Sequence, residues 1–178
     1  MVGEGEQGWP LLLSLARFGA GPRRFRLRVG AAARERLAAR FGLASVDSLS
    51  AELEAWRAEG GLAVEGRFAA RVVQYCAVSN APVPAHVEER IAVRFQRLPE
   101  EIAEELELEE DQLDILPLAG DEVDLGELVA QSLALALPPY PLAADEVVEE
   151  ARRQLLRGRG GDRQEERPLS PFARLKPS

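Results

Sequence analysis

The run of residues 121–143, DEVDLGELVAQSLALALPPYPLA, constrains the fold most because it carries the longest apolar pattern in the chain. Asp124 can cap a helix by accepting hydrogen bonds from free backbone N–H groups, and Glu127 lies in the first turn, where a carboxylate is favourable. Pro138 and Pro139 cannot continue the helix. The pattern predicts a core helix that begins after Asp124 and ends before Pro138.

One face of this predicted helix follows the 3.6-residue period of an α-helix. Its positions are Leu125, Leu128, Val129, Ser132, Leu133 and Ala136. Around Leu135 and Leu137, apolar residues occupy nearly every face of the predicted helix, which is typical of a helix that is covered on several sides. We therefore expect the C-terminal end of the helix to be buried on more than one side.

Cys76 and His86 are the only cysteine and the only histidine of the chain. No internal disulfide can form and a tetrahedral zinc site lacks its usual ligands, so we predict neither a metal nor a cofactor. We interpret Cys76 as a small buried apolar residue and His86 as a loop residue. A length of 178 residues suits one domain. Because no stretch has the pattern of a signal peptide or a membrane span, we expect a cytoplasmic protein.

Charge is distributed very unevenly along the sequence. Residues 1–98 hold 14 arginines and 10 acidic residues, a balance of +4. Residues 99–150 hold 17 acidic residues and no Lys or Arg, and residues 151–178 hold eight basic and three acidic residues. Such a chain can present two surfaces to different partners, or fold one surface onto the other.

The segment PRRFRLRV predicts a strand with a basic face, because Arg24, Arg26 and Arg28 alternate with apolar residues. The next segment, residues 31–41, predicts a helix that ends at Gly42, and Arg34 and Arg40 lie outside its apolar stripe. Guanidinium groups bind phosphates in a bidentate way. We interpret these five arginines as a nucleic-acid-binding face, or alternatively as charges that protect a strand edge and cover the core.

Several further elements are predicted in order along the chain. Residues 44–59 alternate like a strand, although their composition favours a helix, and residues 62–78 predict a long strand. A loop over SNAPVPAH then leads to a strand that begins at Val87, and strands joined so closely should pair antiparallel. Residues 99–114 are so acidic that a solvated loop is expected, or a strip that binds a basic partner.

Three segments of the sequence are similar to those of a known family: GRFAARVVQYCAVSNAPVPAHVEERIAVRF, DEVDLGELVAQSLALALPPYP and SPFARLKPS. They resemble the YceD family, the large ribosomal RNA subunit accumulation proteins, which have Asn at the position of Ser170. The matching residues are Cys76, Asp124, Leu125, Gly126, Glu127, Pro138, Tyr140, Pro141, Pro171 and Phe172. The resemblance also favours a strand over residues 44–59.

The patterns and the resemblance together predict an α+β fold, with an antiparallel sheet or partly closed barrel packed by the central amphipathic helix. We expect a YceD-like domain over residues 9–143 with an acidic loop at 99–122, followed over residues 144–178 by a helix, a flexible linker and the SPFARLK tail. Phe172 and Leu175 suggest that this tail anchors on the body or on a partner.

The resemblance implies a non-enzymatic bacterial factor that supports synthesis, processing or stability of large-subunit ribosomal RNA. Its expected partner is that RNA or a pre-ribosomal particle, and we expect neither a membrane nor a small-molecule substrate. The alternative is a protein-binding adaptor, whose acidic strip and Pro139-Tyr140-Pro141 turn hold a basic ribosomal or assembly protein. A hydrolase would need a nucleophile with its base, and no such arrangement stands out.

Overall fold

Long strands form the frame of the computed structural model, which describes residues 9–58, 60–97, 114–118 and 120–159. The elements are β1 (Leu12–Ser14), β2 (Arg23–Arg28), α1 (Ala31–Phe41), β3 (Ser45–Ala58), β4 (Gly61–Tyr75), β5 (Pro82–Gln96), β6 (Asp114–Pro117), β7 (Glu122–Asp124), α2 (Leu125–Ala136) and α3 (Asp145–Arg159). The fold is therefore α+β, as the sequence predicts.

The main sheet has the order β2-β3-β4-β5-β6, and β1 pairs with β7 in a small second sheet. The pairs β2–β3, β3–β4 and β4–β5 are antiparallel, as expected for strands joined by short turns. The expectation of a wholly antiparallel sheet is wrong at one edge, because β6 pairs parallel to β5. Parallel pairing needs a connection of about a dozen residues or more, and residues 97–113 provide that length. The sheet is open, so it is not a barrel.

Alternation determines the conformation of residues 44–59 despite their helix-favouring composition. Leu49, Ala51, Leu53 and Ala55 are all buried on one face of β3. The same face of β2 buries Phe25 and Leu27, and β4 and β5 contribute further apolar residues to the same core. Burial of one complete sheet face outweighs the weak intrinsic propensity of individual residues.

The strand β5 starts earlier than its sequence indicates. Pro82 and Pro84 belong to it, opposite Tyr75 and Val73, so the predicted loop is shorter and His86 lies in a strand. Among the described residues, β6 pairs only with the last four residues of β5. The edge beside the prolines is unpaired there, and an edge strand tolerates residues that lack an N–H donor.

The helices α1 and α2 pack on the buried face of the sheet. Ala33 and Leu37 of α1 and Leu128 and Leu133 of α2 belong to the same core as the sheet residues. Asp124 caps α2 as predicted, by accepting from the N–H groups of Gly126 and Glu127. Gly42 ends α1 in the left-handed conformation with φ of 64°, which glycine adopts without strain.

The C-terminal end of α2 differs from expectation. Leu133 is fully buried, whereas Leu135 is 88% exposed, so burial on more than one side is wrong for this end. The helix ends before the two prolines, as predicted, but no described element covers the side of α2 that carries Leu135. The helix α3 follows and buries Val148, while Leu155 and Leu156 are exposed.

The range 99–122, predicted to be an acidic loop, contains β6 and the start of β7. Residues 98–113, which hold most of its carboxylates, lie outside the described residues, as do the predicted linker and the SPFARLK tail with Pro171, Phe172 and Leu175. Among the described helices, none is long and apolar enough to cross a membrane.

Candidate nucleic-acid interface

The basic residues of β2 lie on the solvent face of the sheet. Phe25 and Leu27 are each 2% exposed on the core face, and side chains alternate between the two faces of a strand. Arg24, Arg26 and Arg28 therefore share the opposite face, hereafter the outer face. This arrangement agrees with the alternation in the sequence.

Strand pairing extends the outer face across four strands. Arg26 lies opposite Glu52, Glu52 lies opposite Arg67, and Arg67 lies opposite Arg90. Beside Asp47, an exposed residue at a bulge of β3, the described paired positions of this face carry seven arginines and four glutamates. These residues are Arg24, Arg26, Arg28, Arg67, Arg71, Arg90 and Arg94, with Glu52, Glu54, Glu65 and Glu88.

Exposed ion pairs orient several of these arginines. Arg24 Nε lies 3.2 Å from Glu54 Oε1, and the side chain of Arg24 is 81% exposed. Glu52 lies between two arginines, 3.6 Å from Arg26 Nε and 3.4 Å from Arg67 Nη2. Exposed pairs of this kind contribute only about 0–1 kcal/mol to stability, so the guanidinium groups can exchange these carboxylates for another anion.

A depression of about 330 Å³ lies within the outer face. Three arginines and two glutamates line it, Arg26, Arg28 and Arg67 with Glu52 and Glu88, together with small residues such as Ser50 and Ala69. Small side chains there leave room between longer basic ones. A phosphate-sized anion that enters the depression meets three guanidinium groups and displaces Glu52 from its ion pairs with Arg26 and Arg67.

The other two predicted arginines do not join this face. They belong to α1, which packs on the core side of the sheet. Arg34 donates through Nη1 to the backbone carbonyl oxygens of Val46 and Asp47. Arg40 donates to both carboxylate oxygens of Glu127, at 2.7 and 2.6 Å. The structure thus separates the five predicted residues into a strand group of three and a helix group of two.

Sequence reasoning missed the continuation of the basic face onto β4 and β5. Arg67 and Arg71 alternate with buried residues of β4, and Arg90 lies on the matching face of β5. The alternation in each strand is visible in the sequence. The register that brings Arg67 level with Arg26 and Arg90 is not, because it depends on pairing between strands.

The residues that carry the resemblance form a second structured region around Cys76. This side chain is 3% exposed, and its Sγ accepts hydrogen bonds from the N–H groups of Ser79 at 3.4 Å and Ala143 at 3.3 Å. Hydrogen bonds from the Ser79 side chain and from the Ser79 and Ala143 backbones lower the pKa of Cys76 to about 6, and outweigh the opposing effect of burial. The interpretation of Cys76 as buried is confirmed.

The turn after α2 docks on the loop that contains Cys76. The N–H of Ala77 donates to the carbonyl of Pro141 at 2.9 Å, and Nε2 of Gln74 donates to the carbonyl of Pro138 at 3.0 Å. These contacts bring together parts of the chain more than 60 residues apart. Tyr140, which lies between Pro139 and Pro141, is 80% exposed.

The residues at the start of α2 have structural roles. Oδ1 of Asp124 accepts from the N–H groups of Gly126 at 2.8 Å, Glu127 at 3.2 Å and Leu11 at 3.2 Å. Leu125 is fully buried. A side chain at Gly126 would come within 3.3 Å of the backbone nitrogen of Leu11. This segment therefore fixes the helix start against the N-terminal strand.

Comparison with known proteins links this structure to a family. A family model described as the large ribosomal RNA subunit accumulation protein YceD matches residues 64–177, well over half of the chain. The chain belongs to the YceD family. Searches of curated proteins and of solved structures gave no match.

The match to the YceD model covers only part of the outer face. It begins in β4 and includes Arg67, Arg71 and Arg90, as well as the Cys76 region and α2. The strand β2, which carries Arg24, Arg26 and Arg28, precedes the matched segment. The description of the YceD family links such proteins to the accumulation of large-subunit ribosomal RNA. Within the described ranges, no three or more His, Cys, Asp or Glu residues are placed to hold a metal ion.

Proposed function

We propose that this protein is a non-enzymatic factor that supports the synthesis, processing or stability of large-subunit ribosomal RNA during ribosome assembly in the cytoplasm. In this proposal the outer face of β2 to β5 contacts RNA phosphates. Family membership supports the role. The observation that carries the mechanism is the register of Arg26, Arg67 and Arg90 on one exposed surface.

The chemistry of this surface suits a phosphate backbone. Each arginine that contacts a phosphate releases condensed counterions, which adds affinity without sequence specificity. The ion pairs to Glu52 and Glu54 hold the guanidinium groups near the surface and cost little to break. Arg34 and Arg40 belong to α1, which packs on the opposite face of the sheet, so they are left out of the proposed contact surface.

The cellular test is the ratio of large- to small-subunit ribosomal RNA in cells that lack the gene. We expect a selective loss of the large species, restored by the wild-type gene. A variant with Arg24, Arg26 and Arg28 changed to Ser should restore it poorly. A matched variant with Arg152, Arg153 and Arg157 of α3 changed to Ser should restore it fully. An unchanged ratio in the deletion strain would contradict the proposed role.

A protein-binding adaptor is the second candidate, and exposed apolar residues favour it. Tyr140 is 80% exposed in the turn after α2, and Leu142 next to that turn is 56% exposed. In this alternative a basic ribosomal or assembly protein binds the turn and the acidic strip, and RNA is affected indirectly. A complex with such a protein that survives nuclease treatment, and that Tyr140→Ser disrupts, would favour the adaptor.

A further inference from the structure

Charges on the outer face lie in rows that follow the strands. Arg24, Arg26 and Arg28 form a basic row on β2. Glu52 and Glu54 form an acidic row on β3, directly opposite Arg26 and Arg24. Arg67 and Arg71 form a second basic row on β4, which ends at Glu65, the residue opposite Glu54. Neighbouring strands are about 4.8 Å apart, so the two basic rows are separated by roughly 10 Å with the carboxylates between them.

This order of charges limits how a nucleic acid can lie on the sheet. A phosphate backbone above the acidic row would face Glu52 and Glu54 and be repelled. A single backbone can follow one basic row and leaves the other without an anion. Two backbones with a groove between them place phosphates over the arginines of both rows and keep them away from Glu52 and Glu54.

The centre of the outer face lacks the aromatic side chains that bind single-stranded RNA. Proteins that bind single strands stack bases on aromatic rings, which contributes about 1–3 kcal/mol per base. Across the described cross-strand rows that contain Arg24, Arg26 and Arg28, no Phe, Tyr or Trp lies on this face. Trp56 and Tyr75 lie beyond these rows, near opposite ends of the long strands. The centre of the face therefore offers charge but no stacking surface.

We propose that the outer face binds double-stranded RNA, with one backbone along β2 and the other along β4. RNA helices present a wide, shallow minor groove lined by 2′-hydroxyl groups. The carboxylates of Glu52 and Glu54 lie beneath that groove and accept hydrogen bonds from these hydroxyls. This inference rests on the proposed function and specifies the form of RNA that the same surface takes.

The test compares three fluorescent probes on the full-length protein by anisotropy. They are an RNA duplex, one of its strands alone, and a DNA duplex of the same sequence. The RNA duplex has roughly 16 base pairs, the length that other proteins span when they recognise RNA helices by shape. We expect the RNA duplex to bind about tenfold tighter than either other probe, since only it offers two backbones and 2′-hydroxyls together.

Two paired variants test the two rows separately. Arg24/Arg28→Ser removes charge from β2, and Arg67/Arg71→Ser removes the same charge from β4. Each should weaken duplex binding, and each should reduce its salt slope by about 0.9 per arginine lost. Arg152/Arg153→Ser on α3 is the matched control. Every substituted side chain is exposed, so all three variants should fold. Their melting temperatures verify this.

The possible outcomes separate the inference from the function on which it rests. A single strand that binds as tightly as the duplex, or a row variant that leaves duplex binding unchanged, would overturn the duplex inference while RNA binding stands. Equal binding of the DNA duplex would overturn the role assigned to Glu52 and Glu54. If no probe binds in a salt-dependent way, the proposed function fails as well.

Discussion

Arg40 of α1 donates to both carboxylate oxygens of Glu127 of α2, at 2.7 and 2.6 Å. The hydrogen bond from Arg40 lowers the pKa of Glu127, and the same bond raises the pKa of Arg40. A carboxylate whose pKa is lowered by folding stabilises the folded state at pH values above its ordinary pKa. That stabilisation is lost as the pH falls through the lowered value.

The first prediction concerns this pair. Arg40→Met should lower the melting temperature at neutral pH by a small amount, because the pair is partly exposed, and the loss should disappear in acid as Glu127 becomes protonated. Thermal unfolding across pH measures it, with Arg36→Met as the control on the same helix. Equal losses for both variants at every pH would argue against the pair. RNA affinity should not change in Arg40→Met.

The second prediction concerns the start of α2. Asp124→Ala removes an acceptor for three backbone N–H groups, those of Leu11, Gly126 and Glu127. We expect a loss of about 1–2 kcal/mol in unfolding free energy, the usual cost of removing a helix cap. Asp124→Asn keeps an acceptor oxygen and should lose much less. Similar losses in urea denaturation for the two variants would exclude the capping role.

The third prediction concerns close packing between β3 and β4. A Cβ at Gly66 would overlap the carbonyl oxygen of Glu52 and lie 2.8 Å from Cα of Leu53, so the backbone must shift. Gly66→Ala should therefore cost about 1–3 kcal/mol, as other overpacked sites do. Gly21→Ala, where nothing lies within 4 Å, is the matched control. A neutral Gly66→Ala in denaturant unfolding would show that the strands are not this close.

The fourth prediction concerns the thiol of Cys76. Because hydrogen bonds lower its pKa to about 6, the folded protein should contain a thiolate at neutral pH. Its contribution to stability is present above the ordinary pKa of a thiol and is lost as the pH falls through about 6. Ultraviolet absorbance of the thiolate, with Cys76→Ser as the blank, gives the midpoint. Ser79→Ala should raise that midpoint, and an ordinary midpoint in the wild type would disprove the hydrogen-bonded thiolate.

Local pattern was sufficient for the elements whose signals lie close together in sequence. The alternation around Phe25 gives β2, and Asp124 with Pro138 gives the limits of α2. The parallel pairing of β6, the inclusion of Pro82 in β5 and the exposure of Leu135 depend on which elements become neighbours. Those relationships are tertiary, so no window of sequence contains them.

The candidate site shows the same division. Arg24, Arg26 and Arg28 could be placed on one face from alternation alone. The position of Arg40 could not, because its partner Glu127 is 87 residues away. The extension of the face to Arg67 depends on the register of β3 and β4, because a one-residue slip would move the Arg67 side chain to the other face of the sheet.

Salt dependence of RNA binding tests the central claim most directly. The affinity for large-subunit ribosomal RNA is measured against salt for the wild type, for Arg24/Arg26/Arg28→Ser, and for Arg152/Arg153/Arg157→Ser as the charge-matched control. If the outer face contacts phosphates, only the first variant loses affinity, and its salt slope falls by about 0.7–0.9 per arginine removed. Equal slopes for all three proteins would contradict the account.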